Sequence, residues 1–418
     1  MPDHWRKSKW GDEVTLQYGK AIRGYQNAKA PYRVFGSNGP VGWHTEALAP
    51  GPGVILGRKG AYRGVRYSPE PFFVIDTAYY VQPKGKMDMR WLYYAVIYHR
   101  LGEIDDGSPI PSTTRAAVYV RDMEVPPIKE QRAIAELLGS LDDKIELNRR
   151  MNETLEEMAQ AIFRDWFIDF GPTRRKIDGA TDPVETMGGL VTDPDCARQL
   201  ADQFPANLAD DGLPKGWEAV AVSHLVEFNP SEPLRRGTVA PYSDMSSLPT
   251  RGSIAELPID REFGSGMRFR NGDALIARIT PCLENGKAAF VDFLPDQSSI
   301  GWGSTEFIVL RAKAPVPPPY SYLIARQDEF RDRAIRSMTG TSGRQRAQAD
   351  SVSSFVVARA SDEVLEAFGQ FVVPWFSLIS ANGRQNRTLA ATRDLLLPKL
   401  MSGETRLRDA AAELEAAQ

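Results

Sequence analysis

The sequence predicts an α/β (α+β) fold of two globular segments and two long helices forming an antiparallel coiled coil, arranged as a pseudo-two-fold internal repeat. Three observations predict it. The run over 145–155 reappears 234 positions later over 379–389, with Ile, Asn, Asn, Thr and Leu identical at matched places. Each copy lies in a stretch whose seam residues alternate in spacings of three and four, the mark of one helix face. Upstream of each copy, short apolar runs are punctuated by Gly and Pro, the mark of strands and turns.

Taken in order, residues 1–125 form the first globular segment, with strands expected over 53–56, 72–75 and 78–81 and a helix over 89–101. Pro126 and Pro127 end it and open a helix, which 126–170 is expected to hold, because proline is tolerated at a helix start. Its seam reads Leu138, Leu141, Ile145, Asn148, Asn152, Leu155, Ala159 and Ile162. Residues 171–213 are rich in Gly, Pro and Asp and read as a connector with one short helix over 194–204. The second globular segment spans 214–360, and the second helix, over 361–406, repeats the seam as Val372, Trp375, Ile379, Asn382, Asn386, Leu389, Arg393 and Leu396. Pro374 is expected to start or kink that helix, and 407–418 is a tail rich in Ala and Glu. Asparagines in mid-seam weaken packing but fix register. If the helices run antiparallel, these asparagines fall opposite one another near the centre, and a helix of roughly 40 residues makes a rod of about 60 Å that holds the globular segments apart.

Composition bounds the class. Of 418 residues, 42% are hydrophobic and 25% charged, the balance of a soluble globular protein. Net charge is −3 overall, but 1–125 carries +5 and 215–359 carries +2 while 171–216 carries −3, so the globular segments lean toward a polyanionic partner. Cys196 and Cys282 are the only cysteines, too few for a disulfide framework or a zinc site. The first ten residues are polar and basic, unlike a secretory signal, and apolar runs such as 371–379 are too short to span a bilayer; a cytoplasmic location is expected.

Catalytic patterns are missing. There is no Gly-x4-Gly-Lys-Ser/Thr phosphate loop. Nor is there an Asn/Asp-Pro-Pro-aromatic run of the kind amino-methyltransferases use; Asn229-Pro230-Ser231-Glu232 lacks the second proline and the aromatic. A nuclease-like reading of Pro295-Asp296 with Glu306 fails because Ile308 stands where lysine is needed. His4, His44, His99 and His224 show no metal-ligand spacing. No catalytic residue and no metal ligand is assigned.

Binding patterns recur in both halves. The run 57–64 packs Arg58, Lys59, Tyr62 and Arg63 among three glycines just after an expected strand; its counterpart is Arg278 after Ala274–Ala277, followed by the Asn285-Gly286-Lys287 turn. Glycine lets backbone approach a ligand, and Arg or Lys meets phosphates or a guanine edge. A second loop offers Tyr32, Ser37 and Asn38, matched by Tyr242. A third precedes each long helix, with Thr113, Thr114 and Arg115 in the first half and Thr341, Ser342, Arg344 and Arg346 in the second. Each loop can also be read as a solvated turn, since the same residue types favour turns.

The run Val125-Pro126-Pro127-Ile128-Lys129-Glu130-Gln131, the stretch Phe163-Arg164-Asp165-Trp166-Phe167-Ile168-Asp169-Phe170-Gly171-Pro172, the Pro214-Lys215-Gly216-Trp217 run and the closing Leu397-Pro398-Lys399-Leu400-Met401-Ser402-Gly403 together resemble the specificity subunit of type I restriction-modification systems, over essentially the whole chain. The second helix departs from the pattern, opening on Ser361-Asp362-Glu363-Val364 without Pro-Pro-x-x-Glu-Gln. The resemblance implies two target-recognition domains, each reading one half of a split asymmetric target in double-stranded DNA, with the helices setting the gap. It further implies a chain without catalysis or cofactor of its own, whose partners are methylation subunits, two of them, and restriction subunits. S-adenosylmethionine, ATP and Mg would act on those partners. Two other classes remain open on the residues alone: a coiled-coil scaffold that binds protein, and a self-contained methyltransferase or nuclease.

Overall fold

The computed structural model describes residues 4–26, 29–105, 107, 111–340 and 345–405. The first 125 residues give β1 (Arg6–Lys9), α1 (Trp10–Glu13), β2 (Val14–Tyr18), β3 (Tyr32–Gly36), β4 (Gly39–His44), β5 (Gly53–Gly57), β6 (Val65–Ser68), β7 (Phe72–Val74), β8 (Ala78–Pro83), α2 (Met89–Tyr98), α3 (Arg115–Tyr119) and β9 (Asp122–Val125). The helix expected over 89–101 stops at Tyr98, because Arg100 takes a left-handed φ of 52°. Then come the 40-residue α4 (Ile128–Phe167) and a connector that holds three helices rather than one: α5 (Gly171–Ile177), α6 (Pro183–Thr186) and α7 (Pro194–Asp202). The two unforeseen helices are short, and α6 and α7 each start on an aspartate cap followed by proline, Asp182-Pro183 and Asp193-Pro194.

The second globular segment supplies β10 (Glu218–Ala221), β11 (Val226–Phe228), β12 (Val239–Ser243), β13 (Ile259–Glu262), β14 (Met267–Phe269), β15 (Ala274–Ala277), β16 (Ala288–Phe290), β17 (Gly301–Gly303), β18 (Phe307–Ala312), α8 (Pro319–Ala325), α9 (Asp328–Arg336), α10 (Ala349–Ser353) and β19 (Val356–Arg359), before the 40-residue α11 (Asp362–Met401). Pro374 neither starts nor ends α11, which runs through it; proline removes one donor there, and the helix is held by the packing of its seam.

The chain divides into two units, residues 1–146 with 386–418, and residues 147–385. Each unit holds part of both long helices, and the sheets repeat. Unit 1 has a four-stranded antiparallel sheet ordered β2-β8-β5-β6, a small sheet β4-β3-β7 in which β3 and β7 run parallel, and the β1-β9 ribbon. Unit 2 has β11-β18-β15-β16, β13-β12-β17-β14 with β12 and β17 parallel, and β10-β19. The repeat read from helix residues therefore extends to strand order, with β14 as an addition in unit 2.

Within unit 1, Ile134, Leu138 and Leu141 of α4 join Leu396, Leu400 and Met401 of α11 in a core that includes Trp10, Trp91 and Leu56. Asp142 accepts hydrogen bonds from the Tyr94 hydroxyl (2.6 Å) and from Arg393 (2.7 Å), so the charged residue of the second seam is held in an ion pair. Arg90 grips Asp143 with two bonds and donates a third to the Gly139 carbonyl, fastening α2 to α4. The Pro-Pro-x-x-Glu-Gln run has a local purpose. Buried Gln131 donates to the Pro126 carbonyl and accepts from Asp88 N, the residue that caps α2, while Glu130 accepts from the Trp5 indole. In α11 the Ser361 hydroxyl accepts from Val364 N instead, which is how that helix starts without the run.

Within unit 2, Phe163, Trp166 and Phe167 of α4 pack on Phe368 of α11 with ring centres 5.0–6.1 Å apart. Further along, Asn382 donates to Asn152 at 2.8 Å and Asn148 donates to Gln385 at 2.7 Å, so the two segments run antiparallel. One asparagine pair, Asn152 with Asn382, forms as expected, and Asn148 donates to Gln385. Leu155 is half-buried and the neighbouring Glu156 takes the buried place, accepting from the Tyr322 hydroxyl at 2.6 Å. Leu141, Ile145 and Ile379 are buried, whereas Asn386 and Leu389 are half-buried. By length and composition α11 would pass for a membrane span, contrary to the expectation from its shorter apolar runs, yet Val372, Phe376, Ile379, Leu396 and Leu400 lie in packed interiors.

Candidate nucleic-acid interface

The three loops of each half converge. In unit 1, Gly57 ends β5 so close to its surroundings that a β-carbon would stand 2.2 Å from the Ser37 carbonyl, and Gly57 N donates to the Gly64 carbonyl. Gly64 N then donates to the Ser37 carbonyl at 2.8 Å, and the Ser37 hydroxyl donates to the Lys59 carbonyl, which joins the first loop to the second. Gly60 N donates to the Pro111 carbonyl and Thr113 N to the Arg58 carbonyl (3.0 and 2.9 Å), which adds the third. Unit 2 repeats this scaffold. Lys287 Nζ donates to the Met245 carbonyl at 2.7 Å, Thr280 N to the Gln345 carbonyl, and Ala347 N to the Arg278 carbonyl at 2.7 Å. Arg58 N and Arg278 N also find matching acceptors, the Thr77 and Glu306 carbonyls, both at 2.9 Å. The pairing of Arg58 with Arg278, read from spacing, is a pairing of backbone positions.

The side chains differ in what they leave free. Lys59, Asn38 and Tyr62 are exposed, Tyr62 to 78%. Arg58 donates to the Asp76 carbonyl at 2.9 Å and Arg115 to the Leu16 carbonyl at 2.7 Å, and their guanidinium carbons lie 4.9 and 4.1 Å from the centre of one ring, that of Tyr18. Tyr79 packs beside Tyr18, and its phenol is pushed up to about 12 by burial and then by its contact with Tyr18, so it carries no charge at neutral pH. Arg63 shows another role from the phosphate contact its position suggests: its guanidinium turns inward onto the Gly102, Gly60 and Ile104 carbonyls and braces the loop. Thr113 is fully buried, and Thr114 caps α3 by accepting from Ala117 N. Tyr32 opens β3 while Ser37 follows its end, roughly 16 Å along an extended chain, so Tyr32 stands apart from the loop cluster.

In unit 2 the cations are more engaged. Arg346 makes a fork on both oxygens of Glu306 (2.7–2.9 Å), whose carboxyl lies below its usual range because of that bond, against the opposing effect of burial. Arg278 is half-buried, with its Nε enclosed and without a hydrogen-bond partner among the described residues. Tyr242 packs against Trp302 with ring centres 4.5 Å apart and planes tilted by 54°, and Arg261 lies over it at 4.8 Å, on the β13-β12-β17-β14 sheet. Thr341, Ser342 and Arg344 lie outside the described residues. The sequence did not single out Tyr18, Arg261 or Trp302, because their partners lie far away in sequence and no local spacing announces them. Glu306 was met only as a failed nuclease residue.

The chain can be compared with known proteins. A family model described as the type I restriction modification DNA specificity domain matches residues 2–157. The chain is 26% identical over 344 residues to the HindI specificity subunit, a type I restriction enzyme subunit of Haemophilus influenzae, covering 70% of this chain and 71% of that one. It is 23% identical over 340 residues to the MjaIX specificity subunit of Methanocaldococcus jannaschii, covering 78% and 71%. The solved S subunit of a type I restriction-modification system from M. genitalium shares the fold, with a TM-score of 0.56 at 15% identity over 95% of this chain and 96% of that chain.

Proposed function

The chain belongs to the specificity subunits of type I restriction-modification systems, and on that premise we propose how it works: each unit reads one half of a split, asymmetric DNA target through its cluster of three loops, and the long helices set the gap between the halves. The observation that carries this reading is the convergence, in both units, of the same three loops: matched backbone hydrogen bonds join the first to the third around Arg58 and Arg278, and the second is tied in by Ser37 in one unit and by the Lys287 side chain in the other. A scaffold held twice over with different side chains suits one task performed on two sequences. Phosphate contacts fix the register of such a reader on the duplex, and contacts to base edges supply specificity.

The chemistry falls to partners. Methylation subunits, two per chain, would dock on the recognition domains and long helices and modify adenine with S-adenosylmethionine; restriction subunits would use ATP and Mg to translocate and cleave. The chain itself would hold no cofactor and act in the cytoplasm. The test is single-molecule sequencing of methylated genomic adenines in cells with the methylation subunit, with and without this chain. A split motif that requires the chain is expected, and exchanging residues 1–125 for those of a relative should change one half of it and leave the other. Loss or change of both halves on that exchange would sink the assignment of one half-site to each unit.

A further inference from the structure

We infer that Tyr18, Arg58 and Arg115 form a seat for the DNA backbone that unit 1 possesses and unit 2 lacks, so that the two half-sites are held by different forces. The inference rests on the DNA-reading function proposed above. Two guanidinium carbons lie 4.9 and 4.1 Å from one ring centre, hence no more than about 9 Å apart. Neither arginine forms an ion pair with a carboxylate among the described residues. Like charges brought together without an anion repel, and the fold still fixes both: each donates to a backbone carbonyl and leans on Tyr18, itself 46% exposed. Arginines fixed on an aromatic face with N–H groups to spare suit a phosphate oxygen, because little rotamer freedom is lost on binding. Exposed Lys59 and Tyr62 on the adjoining loop extend the basic surface.

The strand registers show what unit 2 has in the same places. Gly57 faces Ala78 where Ala277 faces Phe307, and Leu16 faces Val81 where Phe228 faces Leu310. Tyr18 and Tyr79 therefore correspond to Pro230 and Ile308, and through the Thr113 and Ala347 bonds Arg115 corresponds to Ala349. Thr77 corresponds to Glu306, whose carboxylate already neutralises Arg346. The same backbone site thus carries a platform with two unneutralised cations in one unit and an internally compensated pair in the other.

The test is the salt dependence of binding by the full chain, assembled with its methylation subunits, to a duplex carrying the split motif. Each neutralised phosphate contributes about 0.9 to the slope of log K against log salt. Arg58→Gln with Arg115→Gln should lower that slope by about 1.8, Arg278→Gln with Arg346→Gln by clearly less, and Tyr18→Leu, which removes the ring, should bind more weakly than Tyr18→Phe, which keeps it. Ethylation of single phosphates reports the same contacts without any substitution: blocking positions on the half-site read by unit 1 should vanish in the double variant. An unchanged slope and ethylation pattern in Arg58→Gln/Arg115→Gln protein that melts like wild type would overturn the seat. A wild-type complex that holds its motif no better than random duplex would instead overturn the reading beneath it, and the seat with it.

Discussion

Glu306 is one residue whose charge state decides how its unit meets a polyanion. Its carboxyl is held below the usual range by the fork from Arg346, so the pair is formed at neutral pH. Such a group adds stability above its ordinary value of 4.5 and loses it as pH falls through the lower folded value. Wild type should therefore melt above Glu306→Gln at pH 7, with the difference shrinking below about pH 4.5; a gap that persisted undiminished to pH 3 would show that the ionised pair is not its source. The same substitution removes a negative charge beside Arg278 and leaves Arg346 without its counter-ion. Binding of the cognate duplex should then tighten, and its salt slope should steepen by about 0.9 if Arg346 reaches a phosphate. Weaker binding at every salt concentration would mean that Glu306 positions Arg346 for the DNA rather than withholding it.

At the scale of the element, the facing asparagines of α4 and α11 make a prediction that separates stability from register. Asn152→Ala leaves the amide of Asn382, 7% exposed, without the oxygen it donates to, at a cost of about 1–3 kcal/mol. Leucine at both positions removes donor and acceptor together, and urea unfolding should place the double variant at or above wild type while each single alanine falls below it. A double leucine variant less stable than either single alanine variant would show that the amides hold the pair together rather than choosing its register. The helices were also the part of the fold most legible in the sequence, because a seam of threes and fours persists over many turns and chance does not easily produce it. Their details were less so. Pro374 was expected to start or kink the second helix because its local cost is known; the helix does not start there, and the packing of Phe376 and Val372 that carries it through is not local. The ion pair of Asp142 with Arg393 was hidden because each residue finds its partner on the other helix. Among site residues, Arg58 and Arg278 could be matched by counting from their strands. Arg63 could not be told from a phosphate ligand, since its three carbonyl partners come from its own loop and from a segment about 40 positions on.

For the whole molecule, both 40-residue helices pass through the points at which the chain divides into its two units, near residues 146 and 385. A helix lengthens by about 1.5 Å per residue, and a heptad returns its seam to nearly the same face. Inserting one heptad in each helix at facing positions beside Asn152 and Asn382 therefore adds about 10.5 Å while keeping the asparagine register, close to 3 base pairs of B-form DNA. That rotates the second half-site by roughly a quarter turn about the duplex axis, so methylation at any spacing should be weak. Three heptads add about 31.5 Å, or about 9 base pairs, which brings the second half-site back to nearly the same face of a duplex that repeats every 10–10.5 base pairs. Sequencing of methylated adenines should then return the original two half-sites with a gap longer by 9 or 10 base pairs. The half-sites would stay unchanged because no loop around Arg58 or Arg278 has been touched. If the three-heptad variant folds, assembles and methylates with the original gap, the helices join the two readers without measuring the distance between their targets.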